Sequence, residues 1–172
     1  LIATPPVDRL AVRTFVMPFD PVVTREAILR EHHRGGQCFY VCPRILDLPD
    51  VERFLMDRVP EVKFVTAHGR MPPSQLEDVM SAYYDGAYDV LLSTSIIESG
   101  LDIPNANTLI VHRSDRFGLS QLYQLRGRIG RSKTRAYAYF TLPPKRIPTE
   151  AADKRLKVLQ SLDTLGAGFS LA

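Results

Sequence analysis

The chain has 172 residues, of which 45% are hydrophobic and 24% charged, enough for one compact domain with a buried core and the wrong balance for a disordered or fibrous chain. No apolar run approaches the roughly 18 to 20 residues needed to span a bilayer, and no apolar leader follows a basic start, so the sequence predicts a cytoplasmic protein with no membrane partner. The first residue is Leu1, not Met, which suggests a segment of a longer polypeptide. Net charge is only +3, yet between Arg113 and Arg135 seven basic residues face Asp115 alone, a local balance of +6. That asymmetry points to a polyanionic partner, nucleic acid or a nucleotide phosphate.

In chain order, Pro5 and Pro6 mark residues 1–10 as a linker leading in. Ala11 to Met17 reads as a strand. Asp20 then caps a helix with Pro21 at its first position, and Gly35 and Gly36 end it. Gln37 to Cys42 is a buried strand, Val51 to Arg58 a helix, Val62 to Thr66 a third strand. Pro72 and Pro73 start a helix with Leu76, Val79, Met80 and Tyr83 on one face. Tyr88 to Ser93 and Thr108 to His112 are strands, and a helix starts at Ser120 after Gly118. Arg135 to Leu142 makes a sixth strand, whose alternation of Ala and Tyr predicts a sheet edge. Thr149 to Leu165 closes as a helix.

Strand then helix, repeated, predicts an α/β fold in three layers, a mostly parallel sheet with helices on both faces. Ligands in such folds sit beyond the carboxyl ends of the strands, so the loops after Cys42, Thr66, Ser93 and His112 are where chemistry is expected. No Gly-x-x-x-x-Gly-Lys-Ser/Thr loop, no strand ending in an acidic pair and no Gly-x-Gly-x-x-Gly fingerprint is present. The chain alone is therefore expected neither to bind ATP tightly nor to turn it over.

Cys38 and Cys42 lie on one strand, about 13 Å apart at roughly 3.3 Å per residue, too far for a disulfide, which needs Cα atoms within about 7 Å. Cys38 to Arg44 has the Cys-x5-Arg spacing of a phosphatase loop. The residues between them are bulky and end in Pro43, which has no N–H to offer a phosphate, so nucleophilic catalysis by Cys38 is not expected. No metal-ligand cluster surrounds His68.

The stretch Gln121 to Arg131 reads Gln-Leu-Tyr-Gln-Leu-Arg-Gly-Arg-Ile-Gly-Arg. If it is helical throughout, Gln124, Arg128 and Arg131 share one face. Planar guanidinium forks suit the charge that phosphoryl transfer leaves on equatorial oxygens. Gly127 and Gly130 weaken a helix by about 1 kcal/mol each against Ala and make sense where another surface must approach closely.

These residues resemble motif VI of superfamily 2 helicases, Gln-x-x-Gly-Arg-x-Gly-Arg. That resemblance implies arginine fingers at Arg128 and Arg131 and a nucleotide-side contact at Gln124, all serving ATP and Mg2+ held mainly by a preceding RecA-like lobe. Leu91 to Asp102 resembles motif V, which implies that Thr94 meets DNA phosphate while Glu98, Gly100 and Asp102 link that contact to the nucleotide cleft. Tyr40 to Arg44 falls where motif IV would, and His68-Gly69-Arg70-Met71 resembles the loop after the third strand. Arg44 and Arg70 would each meet a phosphate. Arg9-Leu10-Ala11-Val12-Arg13-Thr14, Asp115-Arg116-Phe117-Gly118-Leu119 and Leu165-Gly166-Ala167-Gly168-Phe169 resemble the transcription-repair coupling factor family, with RecG-type helicases as close relatives.

That resemblance implies the second RecA-like lobe of a double-stranded-DNA translocase that displaces stalled RNA polymerase. Residues 1–10 would be the inter-lobe linker, 11–145 the lobe and 146–172 the start of a translocation motif, with Arg155 as the nucleic-acid-binding arginine of its helical hairpin. A non-catalytic nucleic-acid-binding module using the same basic stretch is the alternative.

Overall fold

The computed structural model describes residues 12–94, 106–130, 134–144 and 147–161, and 162–169 as helical backbone. Six strands form one sheet: β1 (Arg13–Pro18), β2 (Gln37–Val41), β3 (Phe64–Ala67), β4 (Val90–Ser93), β5 (Ala106–Val111) and β6 (Tyr137–Leu142). Their order is β1-β6-β5-β2-β4-β3, and every pairing is parallel. The helices are α1 (Pro21–His33), α2 (Leu48–Arg58), α3 (Pro73–Tyr84), α4 (Leu119–Arg126) and α5 (Glu150–Phe169). The fold is the three-layer α/β arrangement that the alternation of elements predicts.

Period-two alternation in the strands divides the core into two layers. Cys38, Tyr40, Val90, Leu92 and Ile110 face one side, where Ala27 and Ile28 of α1 and Val51 and Leu55 of α2 cover them. Phe39, Val41, Leu91, Leu109 and Phe140 face the other, under Met80 and Tyr83 of α3, Leu122 and Leu125 of α4, and Leu156 and Leu159 of α5. At α1 the capping is as read: Asp20 Oδ1 accepts from the N–H of Val22 at 2.9 Å and of Val23 at 3.4 Å.

The position of β6 corrects the sequence reading. It lies between β1 and β5, and the edges are β1 and β3. The Ala and Tyr alternation instead reflects two unlike covers. Ala138 packs in the layer under α4 and α5, while on the opposite face Arg30 Nη2 donates to the Tyr139 hydroxyl at 2.8 Å and the Arg30 guanidinium lies 3.8 Å from the Tyr137 ring centroid.

Candidate functional site

α4 begins after a 3-10 turn, Ser114–Arg116, at the carboxyl end of β5 and runs back across the sheet toward the amino end of β6. Its start is fixed by the Gln121 side chain, which accepts from the Gly118 N–H at 3.0 Å. Leu122, Leu125 and, beyond the helix, Ile129 are buried, so the register of this segment is set by apolar contacts. The same spacing leaves Gln124 exposed and Arg128 half-buried.

The helix does not continue to Arg131, as the sequence reading supposed. It ends at Arg126, and Gly127 is its cap. The chain then tightens, the Arg128 N–H donating to Leu125 O at 3.1 Å and the Ile129 N–H to Arg126 O at 3.4 Å. At Gly130 the backbone turns into the left-handed region, φ +79°, where a Cβ would lie 2.9 Å from Val12 Cγ2 and 3.3 Å from Ala136 Cβ. Glycine is required there on both counts. Gln124 and Arg128 thus stand on a helix end and the turn after it, not on one continuous helical face. Arg131 lies outside the described residues, as do Glu98, Gly100, Asp102 and residues 1–10.

Thr94, Arg44 and Arg70 occupy the opposite edge of the sheet. Thr94 follows β4 and is nearly buried, its N–H donating to Ala67 O at 3.4 Å and its carbonyl accepting from Ser93 Oγ at 2.9 Å. Arg44 follows β2 and is exposed; its Nη2 donates to Asp47 Oδ1 at 3.1 Å and its Nε to Oδ2 at 3.4 Å, which fixes the direction of the guanidinium. Arg70 follows β3, exposed, in a tight turn where its N–H donates to His68 Nδ1 at 3.2 Å. Three loops from three adjacent strands therefore bring a hydroxyl residue and two cations to the carboxyl edge. Arg128 is at the amino edge, where β1 and β6 begin, so the structure forms two groups from the expected residues and not one.

Arg155, on α5, points at the same carboxyl edge but inward. Its Nη2 donates to Asp115 O at 3.2 Å, and its Nε is buried with no hydrogen-bond partner among the described residues. It thereby holds the 3-10 turn that precedes α4. Beside this turn opens a groove of about 350 Å³ lined by Arg113, Arg116, Leu142, Pro143, Ile147 and Thr149.

Arg113 was not singled out by the sequence reading. It adopts φ 53°, unusual for a residue with a Cβ, and its Nε and Nη2 fork onto Asp115 at 3.2 and 3.0 Å. Burial works to raise the Asp115 carboxyl, and the Arg113 pair outweighs it, so the net shift is downward. Neighbouring His112 is held below its ordinary value, first by burial, with Asp47 opposing and Arg113 adding to the fall. Nothing in the local sequence flags a left-handed arginine; the sign lay only in the basic run itself.

The two cysteines are free and buried. Burial pushes both thiols well up, with nearby carboxylates adding to it, Glu31 and Asp89 for Cys38 and Asp47 and Glu52 for Cys42. That is the reverse of what a nucleophilic thiolate needs.

The family described as the helicase conserved C-terminal domain matches residues 22–133. Over all 172 residues the chain is 56% identical to the transcription-repair-coupling factor of Rickettsia prowazekii, 58% to that of Myxococcus xanthus and 49% to that of Escherichia coli. It spans about 15% of the length of these relatives. Among solved structures, RecG bound to a three-way DNA junction superposes with a TM-score of 0.75 at 34% identity, over 92% of this chain and 22% of that one. The C-terminal domain of the DEAD-box protein Dbp5 superposes with a TM-score of 0.58 over 91% of this chain and 87% of that one, at 15% identity, a likeness of fold alone. With its parallel six-stranded sheet, the chain belongs to the helicase conserved C-terminal domain family and is similar along its whole length to the transcription-repair-coupling factors.

Proposed function

We propose that the chain is the second motor lobe of an ATP-dependent double-stranded-DNA translocase of the coupling-factor kind. What supports this most is the separation of the two groups: a turn carrying Arg128 at the amino edge of the sheet, and Thr94, Arg44 and Arg70 at the carboxyl edge. In this reading the lobe would meet a nucleotide near Arg128 and a nucleic-acid backbone at the carboxyl edge, with the sheet between.

The donor set fits a triphosphate. Arg128 supplies a planar fork, Gln124 an exposed amide, and the sequence places Arg131 just beyond them. Among the described residues no group of three or more His, Cys, Asp or Glu side chains is placed to hold a metal. Mg2+ and most of the ATP would be held by the preceding lobe, as the resemblance to superfamily 2 helicases implies. When bound, ATP supplies the γ-phosphoryl group whose transfer to water releases the free energy for movement. Arg128 and Arg131 would stabilise the charge on the transferring group, an effect of about 10³ to 10⁵ in rate for an arginine finger. Gln124 would orient the nucleotide. Glu98, Gly100 and Asp102, next to Thr94 in sequence, would join the nucleotide cleft to the DNA contact.

At the carboxyl edge, Thr94 would give its hydroxyl to a phosphate, and Arg44 and Arg70 would add charge without reading sequence. Closing and opening of the two lobes would then advance the protein along the duplex. In the whole protein that motion would act on a stalled RNA polymerase, as the resemblance to the coupling-factor family implies. Residues 146–172 would begin the element that couples turnover to stepping. The 34% identity to RecG keeps a branched-DNA helicase as second reading, set against 49 to 58% to the coupling factors.

The test is to join this chain to its preceding lobe and measure ATP hydrolysis with and without duplex DNA. DNA-stimulated turnover in the joined protein and none in this lobe alone is expected. DNA binding without any stimulated turnover would leave a binding module and remove the motor.

A further inference from the structure

The motif comparison gives no role to Arg126, which stands between Leu125 and Gly127 as one of its variable positions. In the structure it is the side chain that fastens the turn. Its Nε donates to Thr14 Oγ1 at 3.0 Å and its Nη2 to Val12 O at 3.4 Å, across 112 and 114 positions of sequence. Thr14 is buried, and Val12 and Thr14 bracket the first residue of β1. Gly130 presses against the same Val12 from the other end of the turn, and the Arg13 N–H donates to Ala136 O at 2.9 Å just after it. Further along, Arg34 Nη2 donates to Arg135 O at 2.7 Å. Arg126, Gly130 and Ala136 thus all meet the head of β1, the point that follows residues 1–11 in sequence, and Arg135 is tied to the end of α1.

We propose that Arg126 is a positioning residue: through Thr14 and Val12 it locks the turn bearing Arg128 to the head of β1, so that the position of the incoming chain and the reach of the arginine are set together. The inference rests on the reading of Arg128 as a finger. A guanidinium suits the task because one planar group meets a hydroxyl and a carbonyl at once, and the part-buried site leaves it few other conformations. Arg126 need not touch the nucleotide, so its removal should leave ground-state binding intact. What it should cost is the alignment that matters in the transition state.

The experiment uses the intact protein and follows DNA-stimulated ATP hydrolysis for Arg126→Ala, Arg126→Lys, Thr14→Val, the Arg126→Ala/Thr14→Val pair and Arg128→Ala. Arg126→Ala is expected to lower kcat by about ten- to a hundredfold, the scale of a misplacement near 1 Å, with KM for ATP and affinity for DNA unchanged. Thr14→Val, which keeps the branched shape and removes the hydroxyl that accepts from Arg126, is expected to lower kcat less. The pair should be no slower than Arg126→Ala alone, because both break one link. Arg126→Lys, able to reach one acceptor, should recover part of the rate. Wild-type kcat in Arg126→Ala, additive losses in the pair, or a fall in DNA affinity matching the fall in kcat would each overturn the proposal. If Arg128→Ala is slow and Arg126→Ala is not, the brace alone fails; if Arg128→Ala turns over ATP normally, the finger reading fails first.

Discussion

The side chain of Glu31 is fully buried and is gripped by Arg34, whose Nε and Nη2 fork onto its two oxygens at 2.8 and 2.6 Å. Thr108 Oγ1 donates a third bond at 2.6 Å. The group joins the end of α1 to β5 and, through the Arg34 bond to Arg135 O, to the segment leading into β6. A buried carboxylate is tolerated because its partners satisfy it, and removing one leaves a charge stranded in a low dielectric.

Gly36 lies against this group: a Cβ there would overlap Glu31 Oε2, one oxygen of a carboxylate that three donated hydrogen bonds hold in place. Gly36→Ala is expected to destabilise the fold by about 3 kcal/mol, near the upper end of ordinary single substitutions. Chemical denaturation reads it directly. A change below the error of the midpoint would mean that the carboxylate can yield.

His112 gives a pH dependence of defined sign. Its folded value is depressed, chiefly by burial, so the unfolded chain takes up its proton first as pH falls. Stability is full above the unfolded value of about 6.5 and drops as pH falls from there toward the folded value. Thermal melts should show this slope between pH 7 and 5, and His112→Gln should flatten part of it. A melting temperature that rises on acidification through that window would contradict the burial of a neutral imidazole.

Both thiols should be silent in the native state. At pH 8, Cys38 and Cys42 are expected to react with a disulfide reagent only as fast as the protein unfolds, and at once in denaturant, since burial disfavours the thiolate of each. Rapid labelling of the folded protein would show an open path to β2.

For Arg155→Ala in the intact protein the expectation is uncoupling: ATP hydrolysis continues and translocation is lost. The contact that Arg155 makes, to Asp115 O in the turn ahead of α4, lies on the carboxyl edge, away from Arg128. Movement along DNA and nucleotide turnover are measured side by side. Loss of both together would place Arg155 in the general framework of the lobe and not in its coupling.

Much of this architecture is legible in the sequence because local signals agree with it. Asp20, Pro21 and Gly35 announce the limits of α1, and the apolar runs give five of the six strands within two residues at each end. At the sixth, β6, the limits are equally close but the place in the sheet is wrong. Alternation at Tyr137 to Tyr139 looks like exposure on one face, whereas Arg30 of α1 and Arg34 at its cap cover that face with their own guanidiniums. Periodicity cannot show a cation stacked on a ring. The same limit hid Arg126, whose partners at Val12 and Thr14 are more than a hundred residues away, and Arg113, whose left-handed backbone no residue type advertises. The geometry at Arg128 is not legible in the sequence, because the helix stops at Gly127 instead of carrying it.

The claim on which the account turns is that this lobe lends its arginines to a nucleotide held by another. It is tested most directly by ATP turnover of the intact protein carrying Arg131→Ala, with duplex DNA present and DNA affinity measured in parallel. The account predicts DNA binding close to wild type and turnover lower by at least about a hundredfold. Turnover retained at most of its wild-type rate would contradict it.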